Sequence, residues 1–136
     1  MEPTVASSGA ILVIDDEPEI RRLVTTILGN AGYTVFSADT GEHALRLFGK
    51  HANEITMLLA DVVAPGMSGP MLADQLLELQ PHIRVVFMSG YNASLVVRRY
   101  VVERGFMLIQ KPFTPEQLVS AVEQTIGPPR RVLHGS

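Results

Sequence analysis

Met57-Leu58-Leu59-Ala60-Asp61-Val62-Val63-Ala64-Pro65-Gly66-Met67-Ser68-Gly69 is the stretch on which the reading of this chain turns. From Ile55 to Ala60 the sequence is apolar at every position except Thr56. A run without alternation is what a central strand covered on both faces requires. It stops on a carboxylate, Asp61, and Pro65, Gly66 and Gly69 turn the following residues into a loop. An acid at the carboxyl end of a parallel strand lies where open α/β sheets keep their ligands. The plainer reading, in which Asp61 only ends the strand, stays open until its surroundings are read.

Toward the amino terminus, Ala10 to Ile14 is a second apolar strand that also runs into acids, Asp15, Asp16 and Glu17. Pro18 suits the first turn of a helix, where its missing N–H is no loss. Ile20, Leu23, Val24, Ile27, Leu28 and Ala31 then recur at helical spacing, and Asn30 and Gly32 close the segment. Asp15 or Asp16 alone would be explained by capping this helix. Both together at a strand terminus are harder to dismiss. Tyr33 to Ala38 reads as a strand, and Thr40-Gly41-Glu42 opens a helix carrying Ala44, Leu45, Leu47 and Phe48 to about Lys50.

Beyond the opening stretch, Met71 to Gln80 is expected to be helical with Leu72, Ala73, Leu76 and Leu79 inward. Ile83 to Met88 is an apolar strand ending on a hydroxyl, Ser89. Tyr91 to Arg104 reads as a less regular helix. Ala93, Val96, Val97 and Tyr100 share its inner face, and Leu95 and Val102 lie opposite, rimmed by Arg98 and Arg99. Phe106 to Ile109 is a short strand, followed by Gln110-Lys111-Pro112-Phe113. In the last helix Thr114, Pro115 and Gln117 form a capping box, and Leu118, Val119, Val122 and Ile126 face inward.

Five strand–helix alternations imply an α/β fold, a doubly wound (βα)5 unit with a five-stranded parallel sheet and helices on both faces. Right-handed crossovers bring all strand carboxyl ends to one edge. Four of the five strands deliver polar groups there: Asp15 and Asp16, Asp61, Ser89 and Lys111. The expected organisation is a flexible leader over 1–9, one domain over 10–126 and a flexible tail over 127–136.

Bulk properties narrow the function. At 136 residues the chain fits one domain, burying about two thirds of its unfolded surface without staples. It has no cysteine, so disulfides, thiolate metal sites and cysteine nucleophiles are excluded, which fits a cytoplasmic setting. No apolar run is long enough to span a membrane, and the first nine residues lack the apolar core of a secretory signal. The net charge of −3, with no basic block before Arg130-Arg131, gives nucleic acid no electrostatic footprint. His43, His51, His82 and His134 are scattered over helix, loop and tail and read as solvated.

Carboxylates about 4 Å apart repel by about 4 kcal/mol per pair at an effective dielectric near 20. Such a cluster calls for a cation, and an all-oxygen donor set with room for water favours Mg²⁺. A carboxylate beside Mg²⁺, a lysine and a hydroxyl is equipped for phosphoryl transfer. Asp61 would be the nucleophile, Lys111 would pair with phosphoryl oxygens, and Ser89 would donate a hydrogen bond. Neither a GxxxxGK[ST] run nor a GxGxxG turn competes with that reading.

Leu12-Val13-Ile14-Asp15-Asp16-Glu17-Pro18, the stretch from Asp61 to Gly69, Met88-Ser89-Gly90 and Gln110-Lys111-Pro112-Phe113 occur in that order. Together they resemble the response-regulator receiver (CheY-like) domains of bacterial two-component signalling, over about residues 10–126. The resemblance implies a flavodoxin-like sheet in the order 2-1-3-4-5. By it, Asp61 accepts a phosphoryl group from a phosphohistidine on a sensor histidine kinase or histidine phosphotransfer protein. It also implies Mg²⁺ held by Asp15, Asp16, Asp61 and the Val63 carbonyl. Ser89 becomes the switch hydroxyl and Lys111 the phosphate-pairing lysine, with a cis peptide before Pro112 aiming the lysine inward. Residues 89–113 resemble receivers of hybrid histidine kinases more than those of transcription factors, with an isolated single-domain regulator also fitting. The outer face of the 91–104 helix is the expected surface for a downstream partner or self-association. Two positions depart from the pattern. Leu108 stands where the family has an aromatic switch residue, which implies looser coupling, and Ala64 stands where Met is common. A small Mg²⁺-dependent phosphohydrolase passing through an aspartyl-phosphate is the alternative, although no insertion is long enough to form a substrate cap.

Overall fold

A computed structural model describes residues 9–63, 67–90 and 94–129. Most of the expected leader, loop residues 64–66, the expected helix start at 91–93 and the tail from 130 lie outside them, as does the side chain of Val96. The elements alternate without exception: β1 (Ala10–Ile14), α1 (Pro18–Asn30), β2 (Thr34–Ala38), α2 (Gly41–His51), β3 (Ile55–Asp61), α3 (Gly69–Leu79), β4 (Arg84–Ser89), α4 (Leu95–Glu103), β5 (Met107–Gln110) and α5 (Pro115–Ile126). All pairings are parallel, and the sheet order is β2-β1-β3-β4-β5.

The period of two along each strand divides the core into two layers. Ile11, Val13, Met57, Leu59, Val86 and Met88 pack with Val24 and Leu28 of α1 and Leu118 and Val122 of α5. Leu12, Ile14, Leu58, Ala60 and Phe87 point the other way, onto α2, α3 and Val101 of α4. Because both faces are covered, β1 and β3 are apolar at nearly every position, and the first charged groups appear where the strands end. Removing one such buried leucine side chain costs about 2–5 kcal/mol. The caps are those the residue types favour. Thr40, Ser68, Ser94 and Thr114 each accept a backbone N–H through the side-chain oxygen, and Thr114 with Gln117 completes the capping box.

Four expected positions move. The third helix begins at Gly69, since Ser68 caps it and Pro70 is acceptable in its first turn. Its last residue, Leu79, is 67% exposed, because the helix ends over the start of β3, where Gln80 covers the Ile55 carbonyl at 3.2 Å. In α4 the inward pair is Val97 and Val101, whereas Tyr100 is exposed and its hydroxyl meets Arg104. Leu23 of α1 is likewise exposed, and Val24 and Leu28 carry the contact.

Candidate functional site

β1 and β3 are neighbours, with Ile14 abreast of Ala60, so Asp15 and Asp61 emerge side by side at the carboxyl edge. Each acid first satisfies its own turn. The Glu17 N–H donates to Asp15 Oδ1 at 2.9 Å, and the Val63 N–H donates to Asp61 Oδ1 at 3.0 Å. These are the aspartate turns that let a chain leave a strand. They leave both Oδ2 atoms facing the same space, and Lys111 fills it. Its Nζ donates to Asp15 Oδ2 at 2.7 Å and to Asp61 Oδ2 at 3.0 Å, with Glu17 Oε1 further off at 3.6 Å. Lys111 follows β5, two strands away from β3, and its long side chain makes the crossing possible. The Lys111-Pro112 peptide is cis, as the resemblance implied.

The cluster is nearly dry. The side chain of Asp15 is fully buried, and those of Asp61 and Lys111 are 10% and 13% exposed. Burial pushes the Asp61 carboxyl above its ordinary pKa, against the Val63 N–H and the Lys111 ammonium, which pull it down. Burial would lower the Lys111 pKa, but its hydrogen bonds to Asp15 and Asp61 outweigh that and raise it.

Asp16, exposed, completes a triad with Asp15 and Asp61, in which one carboxylate oxygen from each lies within 4.8 Å of the others. Ligand oxygens around Mg²⁺ stand about 2.0–2.1 Å from the ion. Oxygens about 3 to 4 Å apart then surround the ion, somewhat closer than the 4.8 Å within which these three lie. The donor set is hard and all oxygen, so the residues fit a hard divalent cation. Three carboxylates against one ammonium also leave an excess of negative charge for it to meet.

Ser89 ends β4 fully buried, and its hydroxyl donates to the Gly90 carbonyl at 3.4 Å, while its own carbonyl accepts the Lys111 N–H at 2.8 Å. The hydroxyl is thus on the right edge but bonded within its own loop. Val63, the second residue after Asp61, is exposed, whereas Val62 between them is buried. Leu108 is half-buried, packs against the α2–α3–α4 side of the core, and stands opposite Phe87. Among the described histidines, His43 and His51 bond to Asp39 and Glu54 away from the cluster.

Three participants were missed in the sequence. Arg21 donates from its guanidinium to the Asp15 carbonyl at 2.9 Å, and its place one turn into α1, after Pro18, was the available signal. Glu17 joins the lysine's surroundings. Gly69 permits the chain to pass over the strand end, because a Cβ there would collide with the Asp61 carbonyl oxygen.

The model of the response regulator receiver domain matches residues 11–123. The chain belongs to the response-regulator receiver family. This receiver is 31% identical to the sensor kinase CckA of Brucella abortus over 122 residues, 90% of the chain but 13% of that kinase. With the response regulator receiver protein CpdR of the same organism it shares 29% identity over 116 residues, 85% of the chain and 95% of CpdR. A solved receiver domain protein from Clostridium thermocellum superposes with a TM-score of 0.78 at 27% identity, covering 85% of this chain and 92% of that one. The receiver is thus a signalling domain, and the family match lends no support to the phosphohydrolase alternative. No helix among its described residues is long and apolar enough to cross a membrane.

Proposed function

We propose that Asp61 is the phosphoacceptor of a two-component phosphorelay, and one observation carries this reading. A single ammonium, on Lys111, joins Asp61 Oδ2 to Asp15 Oδ2 at the end of the central strand. In the transfer, an Asp61 carboxylate oxygen attacks the phosphorus of a phosphohistidine. The new O–P bond forms as the N–P bond breaks, and the imidazole leaves with the electron pair. Lys111 already sits where charge would build on the phosphoryl oxygens, and Ser89, one strand away, needs only to leave the Gly90 carbonyl to donate to one of them. Asp15, Asp16, Asp61 and the Val63 carbonyl would hold Mg²⁺. When bound, that ion neutralises the carboxylates and the transferred group. The same centre would hydrolyse its own acyl phosphate with water, so the protein catalyses only its own modification.

The phosphoryl donor would be a sensor histidine kinase or a histidine phosphotransfer protein, in a cytoplasmic relay, with residues 10–126 as the working unit. The likeness to the receiver part of CckA supports a place beside a kinase, either as part of a hybrid kinase or as a separate regulator. For output, Leu95 and Val102 stand one heptad apart on α4, 72% and 59% exposed, beside Arg98, which is held by Gln110 of β5. That face would bind the downstream partner or a second copy.

Acetyl phosphate or phosphoramidate with Mg²⁺ should add one phosphoryl mass to the wild type and none to Asp61→Asn, read by intact-mass spectrometry. Equal modification of the variant would overturn the assignment.

A further inference from the structure

The molecule carries a net negative charge, yet one face of α1 gathers arginine and threonine donors. Arg21, Arg22, Thr25 and Thr26 lie one turn apart and face Ser37 of the edge strand β2 across a pocket of about 290 Å³. Pro18 also lines the pocket. Arg21 uses one N–H on the Asp15 carbonyl, which leaves most of its guanidinium fork free. Among the described residues, Arg22, Thr26 and Ser37 have no hydrogen-bond or ion-pair partner. Thr25 is more telling, for its Oγ1 is buried and unpaired. A helical threonine can bond back to the preceding turn, and a buried hydroxyl with no partner is unfavourable. The neighbouring carboxylates make no ion pair with the guanidinia: Asp15 is turned to Lys111 and Asp39 to His43, although Arg21 still acts on Asp39 through space.

We infer that this pocket is a second anion site, which takes the phosphate group of a small molecule. Two guanidinia and three hydroxyls suit a tetrahedral dianion, because each phosphate oxygen accepts more than one bond and arginine offers a bidentate fork. The volume of about 290 Å³ admits a phosphate with a small substituent. The site is separate from Asp61 but reaches the neighbouring Asp15 through Arg21. An anion that draws the Arg21 guanidinium outward withdraws a donor from the Asp15 carbonyl, next to the carboxylate that holds Lys111. Occupancy is therefore positioned to modulate the phosphoacceptor centre.

The test is a titration of the ¹⁵N-labelled full chain, free of divalent cations and at constant ionic strength, with inorganic phosphate and separately with phenyl phosphate. Saturable amide shifts centred on Thr25, Thr26 and Ser37 are expected. Arg22→Gln and Thr25→Val should each weaken binding by about fivefold or more, the equivalent of one lost hydrogen bond. Thr25→Val should also melt no lower than the wild type, since it removes an unpaired hydroxyl. Equal affinities would identify phosphate itself as the ligand, and tighter phenyl phosphate a monoester; either supports the site. Shifts that do not saturate, shifts confined to residues 15, 61 and 111, or affinities untouched by both substitutions would overturn it.

Discussion

Lys111 divides its donors between Asp15 and Asp61, so Asp16 is the acid of the triad left without a cation. That inequality has a measurable consequence. Without divalent cations, Asp16→Ala should raise the melting temperature, because it removes an uncompensated like charge and breaks no bond to Lys111. With Mg²⁺ the order should reverse, since the variant loses the ligand and most of the stabilisation the ion gives by binding the folded state. Thermal melts with and without Mg²⁺ decide it; an undiminished rise in the variant would remove Asp16 from the metal site. At this scale the sequence was informative. Asp15, Asp61, Ser89 and Lys111 were all legible as strand-terminal polar residues after apolar runs. The hydroxyl's bond to Gly90 was not, since rotamers of a small side chain leave no trace in a pattern.

The β-strands were the most legible elements because burial on both faces leaves a compositional mark. Helix faces were read less well where helices are short or irregular. In α4, Val97, Tyr100 and Val101 are all apolar enough to face inward. The structure chooses Val101, because Tyr100 can keep its hydroxyl on Arg104, whose guanidinium also lies over the Phe106 ring and reaches Asp74 of α3. Leu79 failed for another reason, since a helical repeat continues on paper past the point where the sheet beneath it stops. The same helix offers a test of output. Leu95→Glu with Val102→Glu should preserve folding and phosphorylation, since both side chains are largely solvated, and should abolish partner binding or self-association of the phosphorylated form. Size-exclusion chromatography with light scattering, in the presence of a phosphoryl mimic or the partner, reads this directly. Wild-type association in the double variant would return these residues to ordinary surface.

For the molecule as a whole, closure depends on contacts between segments distant in sequence. Tyr33, buried at the junction of α1 and β2, donates its hydroxyl to the Gly127 carbonyl just past α5 at 2.7 Å, tying the two helices that cover one face. Burial, with Glu123 adding to it, raises the Tyr33 pKa from its ordinary 10.0 to about 12. The fold therefore favours the neutral phenol. The stability this contributes is complete below pH 10.0 and is lost as pH rises toward about 12, where the folded phenol also ionises. Tyr33→Phe should cost about 1 kcal/mol at neutral pH through the lost hydrogen bond, and should flatten the fall in stability over that alkaline window. Denaturant titrations across the window check both, and an unchanged alkaline slope would mean that another group sets it. No periodicity could announce a pair so far apart in sequence. The strand-end cluster, by contrast, was foreseeable because parallel topology alone gathers those ends on one edge.

All of this converges on one covalent bond, an acyl phosphate on Asp61. Borohydride reduces an acyl phosphate to an alcohol and leaves free carboxylates untouched, so it writes the modified position into the chain permanently. Wild-type protein treated with phosphoramidate and Mg²⁺, quenched with borohydride and digested, should yield homoserine at position 61 with Asp15 and Asp16 unchanged by peptide mass spectrometry. Homoserine at position 15 or 16, or an intact Asp61 in protein that has gained a phosphoryl group, would contradict the account.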